Sequence, residues 1–124
     1  MKKEFIEKNL ILKLTIQFSL DIISYCERLE EKRKYILSNQ LLKAGTSIGA
    51  NIHEAQNAES KNDFIHKVKI AAKEADETQY WLTLCEQAEN YPSCERLINQ
   101  LPSILKVLNK IISTTKRKTE LGYN

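Results

Sequence analysis

The sequence has few of the residues that interrupt helices. Only 3 Gly and 2 Pro occur in 124 residues, and no segment shows the strict apolar–polar alternation of a half-buried strand. Hydrophobic residues make up 42% and charged residues 28%, the charges being mostly Lys and Glu. This composition is ordinary for a globular protein and favours helices. We therefore predict an all-α fold, with residues 1–124 forming a single domain that is long enough to bury a core.

Long apolar runs are also missing. No stretch reaches the roughly 18 apolar residues that a membrane-spanning helix needs. Lys2 and Lys3 precede an apolar tract, but charged residues such as Glu7 and Lys13 interrupt it. We therefore expect neither a signal peptide nor a membrane partner.

Cysteine is sparse, and its spacing is unlike that of a disulfide framework or a metal site. The three residues, Cys26, Cys85 and Cys94, are odd in number and contain no C-x-x-C pair. This usage indicates reduced thiols and a cytoplasmic protein. Cys85 falls on an apolar helical row, where a small core residue is expected.

Residues for catalysis are equally scarce. Only two histidines occur, and the single D-x-x-H pair, Asp63 with His66, lacks the second copy that a di-iron bundle requires. No Arg precedes a His by four to six residues, as in helical ribonucleases of the HEPN type. No glycine-rich phosphate loop follows a strand. We therefore predict no metal, no cofactor and no enzymatic activity.

Apolar residues recur at helical spacing in four segments, at about 9–29, 38–58, 61–89 and 92–115. Short connections between them predict an up-down-up-down four-helix bundle. Ser38 and Ser60 have the side chain of an N-cap, and Pro102 is expected to kink the fourth helix. The first helix's row is Ile11, Leu14, Phe18, Ile22, Tyr25 and Leu29, widened by Leu10, Ile16 and Ile23. The third helix's row is Phe64, Val68, Ala71, Ala75, Thr78, Leu82 and Cys85, and the fourth's is Leu97, Leu101, Ile104, Leu108 and Ile111.

Two glycines lie inside the second helix, in the stretch LLKAGTSIGANIHEA. Each costs about 1 kcal/mol relative to Ala in a helix interior, so Gly45 and Gly49 must gain something in return. We expect that gain to be close approach by the third helix, which is alanine-rich at mid-length around Ala71 and Ala75.

A polar set accompanies this predicted crossing of the second and third helices. One interpretation is an interhelical hydrogen-bond network or a solvated flank. The other is a recognition or assembly surface, with Trp81 and the acidic residues of the third helix near a subunit boundary or a helix crossing. The set comprises Ser47, Asn51, Glu54, Glu74 and Glu77, with Lys67 and Lys73 nearby in sequence.

Positive charge is concentrated towards the end of the chain. Residues 91–124 carry six basic and two acidic side chains. Four of the basic residues lie largely away from the apolar rows: Lys106, Lys110, Arg117 and Lys118. They form either a solvated face or a surface for phosphate contact.

The segments QLLKAGTSIGANIHEAQNAESKNDF and HKVKIAAKEADETQYWL resemble the bacterial four-helix-bundle family of proteins encoded in 23S ribosomal RNA intervening sequences. The resemblance spans nearly the whole chain and is strongest over residues 37–84, with His53 departing from the expected acidic or small residue. The matched residues are Ser47, Ile48, Asn51, Ile52, Glu54, Ala55, Phe64, Lys67, Ala71, Glu74, Ala75, Glu77, Trp81 and Leu82.

That resemblance implies a bundle assembling into a ring-like homopentamer, and it does not imply an enzyme. Members have been labelled ribosomal-protein-like. A related accessory protein of diversity-generating retroelements is a basic pentameric barrel that works with a reverse transcriptase and nucleic acid. We therefore expect a non-catalytic, oligomeric module that binds RNA or a ribonucleoprotein through a basic outer surface. The alternative is a protein-interaction scaffold or accessory subunit, for example of a reverse transcriptase, that does not itself bind RNA or DNA.

Overall fold

The computed structural model describes the backbone of residues 3–122 and the side chains of residues 7–122; residues 1, 2, 123 and 124 of the predicted domain lie outside this part. It consists of four helices: α1 (Lys3–Glu31), α2 (Tyr35–Ala55), α3 (Lys61–Gln87) and α4 (Glu95–Glu120). Each helix packs against the next along the chain, and α4 closes the ring against α1. The predicted all-α, up-down-up-down four-helix bundle is confirmed.

The predicted apolar rows form the centre of the bundle. The fully buried large side chains come from all four helices: Ile11, Phe18, Ile22, Leu29, Leu41, Ile48, Ile52, Val68, Leu82, Leu101, Ile104 and Leu108. Ile65, at 8% exposed, is also buried although the sequence rows omitted it, whereas Leu14 and Phe64 of those rows are only partly buried. The widening of the α1 row was predicted wrongly, because Leu10, Ile16 and Ile23 are exposed.

The helix ends differ from the prediction in several places. Ser38 is not an N-cap, because α2 already begins at Tyr35, after a turn in which Arg33 has a φ of 61°. Ser38 instead lies buried against α1, where its hydroxyl donates to the Cys26 carbonyl at 3.2 Å. Ser60 does cap α3, accepting from the Asp63 backbone N–H at 3.0 Å.

The other boundaries shift by a few residues. Helix α1 begins at Lys3 rather than near residue 9, and α2 ends at Ala55 rather than near residue 58. Helix α3 ends two residues early, and α4 extends beyond the predicted end at residue 115 to Glu120. Pro102 lies within α4, which is continuous through it, and the proline is exposed. The kink expected there stays a prediction.

The two helical glycines face α1, which corrects the expectation that they face α3. A Cβ placed on Gly45 would lie 2.9 Å from Ile22 Cγ1, and one on Gly49 would lie 3.2 Å from Thr15 Cβ. Ser38, seven residues before Gly45, contacts the same helix. The α1-facing side of α2 is therefore its small-residue side, and the glycines let these two backbones approach closely.

Candidate nucleic-acid interface

Helix α4 carries a basic outer face. Lys106, Lys110 and Arg117 are exposed and follow one another at steps of four and seven residues, so they share one side of the helix. That side lies away from the buried row of α4. Between Glu95 and Glu120 the helix contains no acidic residue to neutralise these charges. We call Lys106, Lys110 and Arg117 the α4 basic face.

Lys118, the fourth basic residue that the sequence singled out, does not belong to this face. It is partly buried and lines a cavity at one end of the bundle. Lys110 connects the two features, because its Nζ lies 3.7 Å from Oε1 of Glu7 in that same cavity. Of the four basic residues predicted to contact phosphate, three therefore lie on the α4 basic face and Lys118 lies beside the cavity.

The cavity at this end of the bundle has a volume of about 250 Å³, and Glu7, whose carboxylate is buried, is among the residues that line it. Glu7 is only 7% exposed, and neither carboxylate oxygen has a hydrogen-bond partner within the described part of the chain. Phe64 forms an apolar wall, with the Lys8 ammonium 4.7 Å from its ring centroid. We call this the Glu7 cavity.

Sequence reasoning missed Glu7 because residues 1–8 read as a polar lead-in to the first helix. One signal was available. Glu7 stands four residues before Ile11 and seven before Leu14, which places it on the core-facing row. A charged residue in register with a buried row is the unusual feature that would have marked it.

A further pair of basic residues lies where α3 begins and α4 ends. Lys69 and Lys116 line one groove together with His66. A hydrogen bond with Lys116, followed by the positive charge of that residue, lowers the pKa of Lys69. Lys116 was not among the basic residues singled out, although its neighbours Arg117 and Lys118 were.

The predicted polar set between α2 and α3 is mostly a solvated flank. The Ser47 hydroxyl donates to the Lys43 carbonyl at 2.6 Å, and Asn51 Nδ2 donates to the Ser47 carbonyl at 2.8 Å, so both serve their own helix. An exposed ion pair, with Lys67 Nζ 3.6 Å from Glu54 Oε2, connects the two helices.

Trp81 and the acids of α3 lie on and beside this flank. Glu74 and Trp81 follow Lys67 at steps of seven residues, and Glu77 is exposed further round the helix. The Trp81 ring packs against the core and meets Tyr80 edge-on, with centroids 5.3 Å apart. Its indole Nε1 is buried without an acceptor among the described residues. A role for Trp81, Glu74 and Glu77 in assembly stays a prediction.

An exposed apolar stripe runs along α1, on the side opposite the core. Ile16, Leu20 and Ile23 are spaced by four and three residues and are 59%, 53% and 41% exposed. Ile16 and Ile23 are the residues that were expected to widen the core row. Three large aliphatic side chains in register on the outside of a helix are typical of a surface that another molecule covers. We call these three residues the α1 stripe.

A family model for the 23S rRNA-intervening sequence protein matches residues 7–110, a span that includes most of the bundle. The chain belongs to this family. A solved structure from Bacteroides thetaiotaomicron VPI-5482, described as a protein with unknown function from the S23 ribosomal protein family, is 40% identical in sequence. It superposes with a TM-score of 0.81, over 86% of this chain and 98% of that one. No curated protein matches the chain.

The three cysteines of this family member are free and buried. Burial is the main cause that raises the pKa of Cys26 to about 11 and that of Cys94 to about 12. The Cys94 thiol donates to the Leu82 carbonyl at 3.2 Å. These groups are therefore neutral near pH 7, which makes them poor nucleophiles.

The part of the chain that the structure describes offers neither a metal-binding cluster nor a membrane-spanning helix. The described residues contain no cluster of three or more His, Cys, Asp or Glu placed to hold a metal ion. None of the described helices is long and apolar enough to cross a membrane.

Proposed function

We propose that this member of the 23S rRNA-intervening sequence protein family is a non-catalytic, oligomeric helical module that binds RNA or a ribonucleoprotein. The α4 basic face is the observation that carries the proposal. Its three cations are exposed and in register; Lys110 is paired with Glu7 of α1, and no acidic residue of α4 between Glu95 and Glu120 offsets the other two. Phosphate contacts of Lys and Arg supply most of non-specific nucleic-acid affinity, and each contact adds by releasing counterions.

Assembly into an oligomer would strengthen nucleic-acid binding by such a surface. The formal charge of one chain is +3, so a ring of five copies would carry about +15 and would repeat each weak contact five times. The α1 stripe supports oligomerisation, because it is an exposed apolar surface on a helix other than the one that carries the basic face. The pentamer itself is part of the proposal, as are RNA and DNA as partners.

The non-catalytic part of the proposal is supported by the chemistry of the thiols. Their raised pKa values keep Cys26 and Cys94 protonated, so they lack the thiolate that attacks a substrate. Free thiols also support the cytoplasm as the compartment of the protein.

Charge reversal on the basic face tests the proposal. The variant combines Lys106→Glu with Arg117→Glu and leaves Lys110 in place, because Lys110 also contacts Glu7. The matched control combines Lys32→Glu with Lys73→Glu, two exposed lysines elsewhere that give the same change in net charge. Binding of structured RNA at low salt is measured beside the mass in solution. We expect only the first variant to lose RNA, with unchanged mass.

The α1 stripe favours a second candidate function, a scaffold or accessory subunit for another protein such as a reverse transcriptase. In that case the basic ends serve subunit or partner contacts. Loss of assembly rather than loss of RNA in the Lys106→Glu, Arg117→Glu variant would favour the scaffold. Absence of RNA binding by the unmodified protein at low salt would remove the first candidate.

A further inference from the structure

Two helices bring amino groups together in the groove that His66, Lys69 and Lys116 line. Lys69 belongs to α3 and Lys116 to α4, and their amino groups lie within hydrogen-bond reach of each other. The hydrogen bond with Lys116, and then its positive charge, lowers the pKa of Lys69. Two ammonium ions at this distance repel each other, and an anion between them would replace that repulsion with attraction. We call this the Lys69–Lys116 groove.

The chain does not supply such an anion to the groove. Within the described part of the chain neither lysine is in an ion pair, although Glu120 lines the same groove. Helix α3 has no acidic residue between Asp63 and Glu74, and α4 has none between Glu95 and Glu120. Both helices that form the groove therefore bring positive charge to it.

The groove is open and lined by hydrogen-bond donors. His66, Lys69 and Lys116 are exposed, so a ligand can reach all three side chains. The volume of about 440 Å³ leaves room for a group attached to the anion. An imidazole donates from one ring nitrogen even when it is neutral, and an ammonium group has three donors. Asn62 and Thr119 add an amide and a hydroxyl. The groove therefore suits an anion with several acceptor oxygens.

We propose that the Lys69–Lys116 groove binds a dianionic phosphate group. Near pH 7 a phosphate monoester carries a charge of about −1.5 to −2 and three terminal oxygens. It therefore matches two ammonium groups better than a phosphodiester of an RNA backbone, which carries one charge. The source of the group is either free phosphate or the 5′-terminal phosphate of a nucleic acid. The inference goes beyond the proposed function, because it does not use the α4 basic face.

The two histidines of the chain provide an internal comparison. His66 lines the groove, whereas His53 is exposed on α2, which does not line it. Sodium phosphate is titrated into the full chain at fixed pH and ionic strength, with sodium chloride as the matched salt, and the ring C2–H resonances are followed by proton NMR. We expect the His66 resonance to shift until it saturates and the His53 resonance to move no more than it does in chloride. His53→Gln assigns the two resonances.

A double variant tests whether the two lysines hold the anion. Lys69→Gln combined with Lys116→Gln should weaken the phosphate affinity measured at His66 by about 10-fold, because charged hydrogen bonds to the anion are lost. Lys32→Gln combined with Lys43→Gln, at exposed positions elsewhere, gives the same change in net charge and should retain the affinity. An equal affinity in the groove variant and the unmodified chain would overturn the inference.

The 5′ ends of oligonucleotides distinguish the two sources. Uridine oligomers with a 5′-phosphate or a 5′-hydroxyl are compared by fluorescence anisotropy at the same salt. Tighter binding of the 5′-phosphate oligomer that is lost in the groove variant identifies the end of a nucleic acid. A His66 response to phosphate without this preference identifies free phosphate, and it supports the inference even if no RNA binds and the proposed function fails. No His66 response and no preference between the oligomers would overturn the inference while leaving RNA binding intact.

Discussion

Ile22 of α1 occupies the space that a side chain on Gly45 of α2 would need. A Cβ at position 45 would lie 2.9 Å from Ile22 Cγ1 and 3.0 Å from its two terminal methyl carbons. Gly45 is buried, and so is Ile22. The close approach of α1 and α2 at this point therefore depends on the absence of one methyl group.

Gly45→Ala tests this packing. Alanine gains about 1 kcal/mol in helix propensity, but overpacking a core costs about 1–3 kcal/mol, so we expect a net loss of about 1 kcal/mol. The free energy of unfolding from urea titration measures it. Gly49→Ala is the matched comparison. The added Cβ would lie 3.2 Å from Thr15 Cβ, but Gly49 is partly exposed, so we expect a smaller change in the free energy of unfolding. A Gly45→Ala protein more stable than the unmodified chain would contradict the packing account.

The sequence predicted the four helices and their buried rows because apolar periodicity reports which side of a helix faces the core. It did not predict which neighbour the glycines approach. Small residues indicate a close contact, but Gly45 and Gly49 sit on one flank of the buried row and Asn51 and Glu54 on the other. Only the packing of the whole bundle assigns those flanks to α1 and α3.

The candidate site was predicted only in part. Lys106, Lys110 and Arg117 share a face because α4 is a regular helix, so spacing sufficed. Glu7 was missed because it lies before the predicted start of the first helix, where local signals are weakest. Lys116 was missed although its neighbours Arg117 and Lys118 were selected. The exposure of Ile16 and Ile23 was also missed, since periodicity alone does not separate a wide core row from a second apolar stripe.

Leu20→Lys tests the α1 stripe as an assembly surface. Leu20 lies outside the core, so we expect the free energy of unfolding of the single chain to change by no more than about 0.5 kcal/mol. A charge placed in a covered apolar contact should reduce the mass measured by light scattering at micromolar concentration. Gln17→Lys, at an exposed position of the same helix, serves as control and should keep the mass. A monomeric unmodified protein would remove the assembly proposal.

The buried thiol of Cys94 predicts a loss of stability in alkali. Its pKa rises to about 12 in the folded chain, mainly through burial, against about 8.5 for an unperturbed thiol. The unfolded chain therefore releases this proton first, and the stabilisation present below pH 8.5 is lost as the pH rises towards 12. Cys94 should account for about 1–2 kcal/mol of the decrease between pH 8 and pH 10.

Cys94→Ser isolates that contribution, because serine keeps a donor for the Leu82 carbonyl and does not ionise in this range. Urea titrations at pH 8 and pH 10 should show a smaller decrease for the variant than for the unmodified chain. Equal decreases in the two proteins would show that the thiol does not titrate as described.

The salt dependence of RNA binding tests the central claim most directly. If the α4 basic face contacts phosphates, the logarithm of the binding constant should fall linearly with the logarithm of salt concentration. Three contacts in one chain predict a slope of about −2 to −3, steeper if several copies engage one RNA. Binding that is absent at low salt, or whose affinity does not change between low and high salt, would contradict the account.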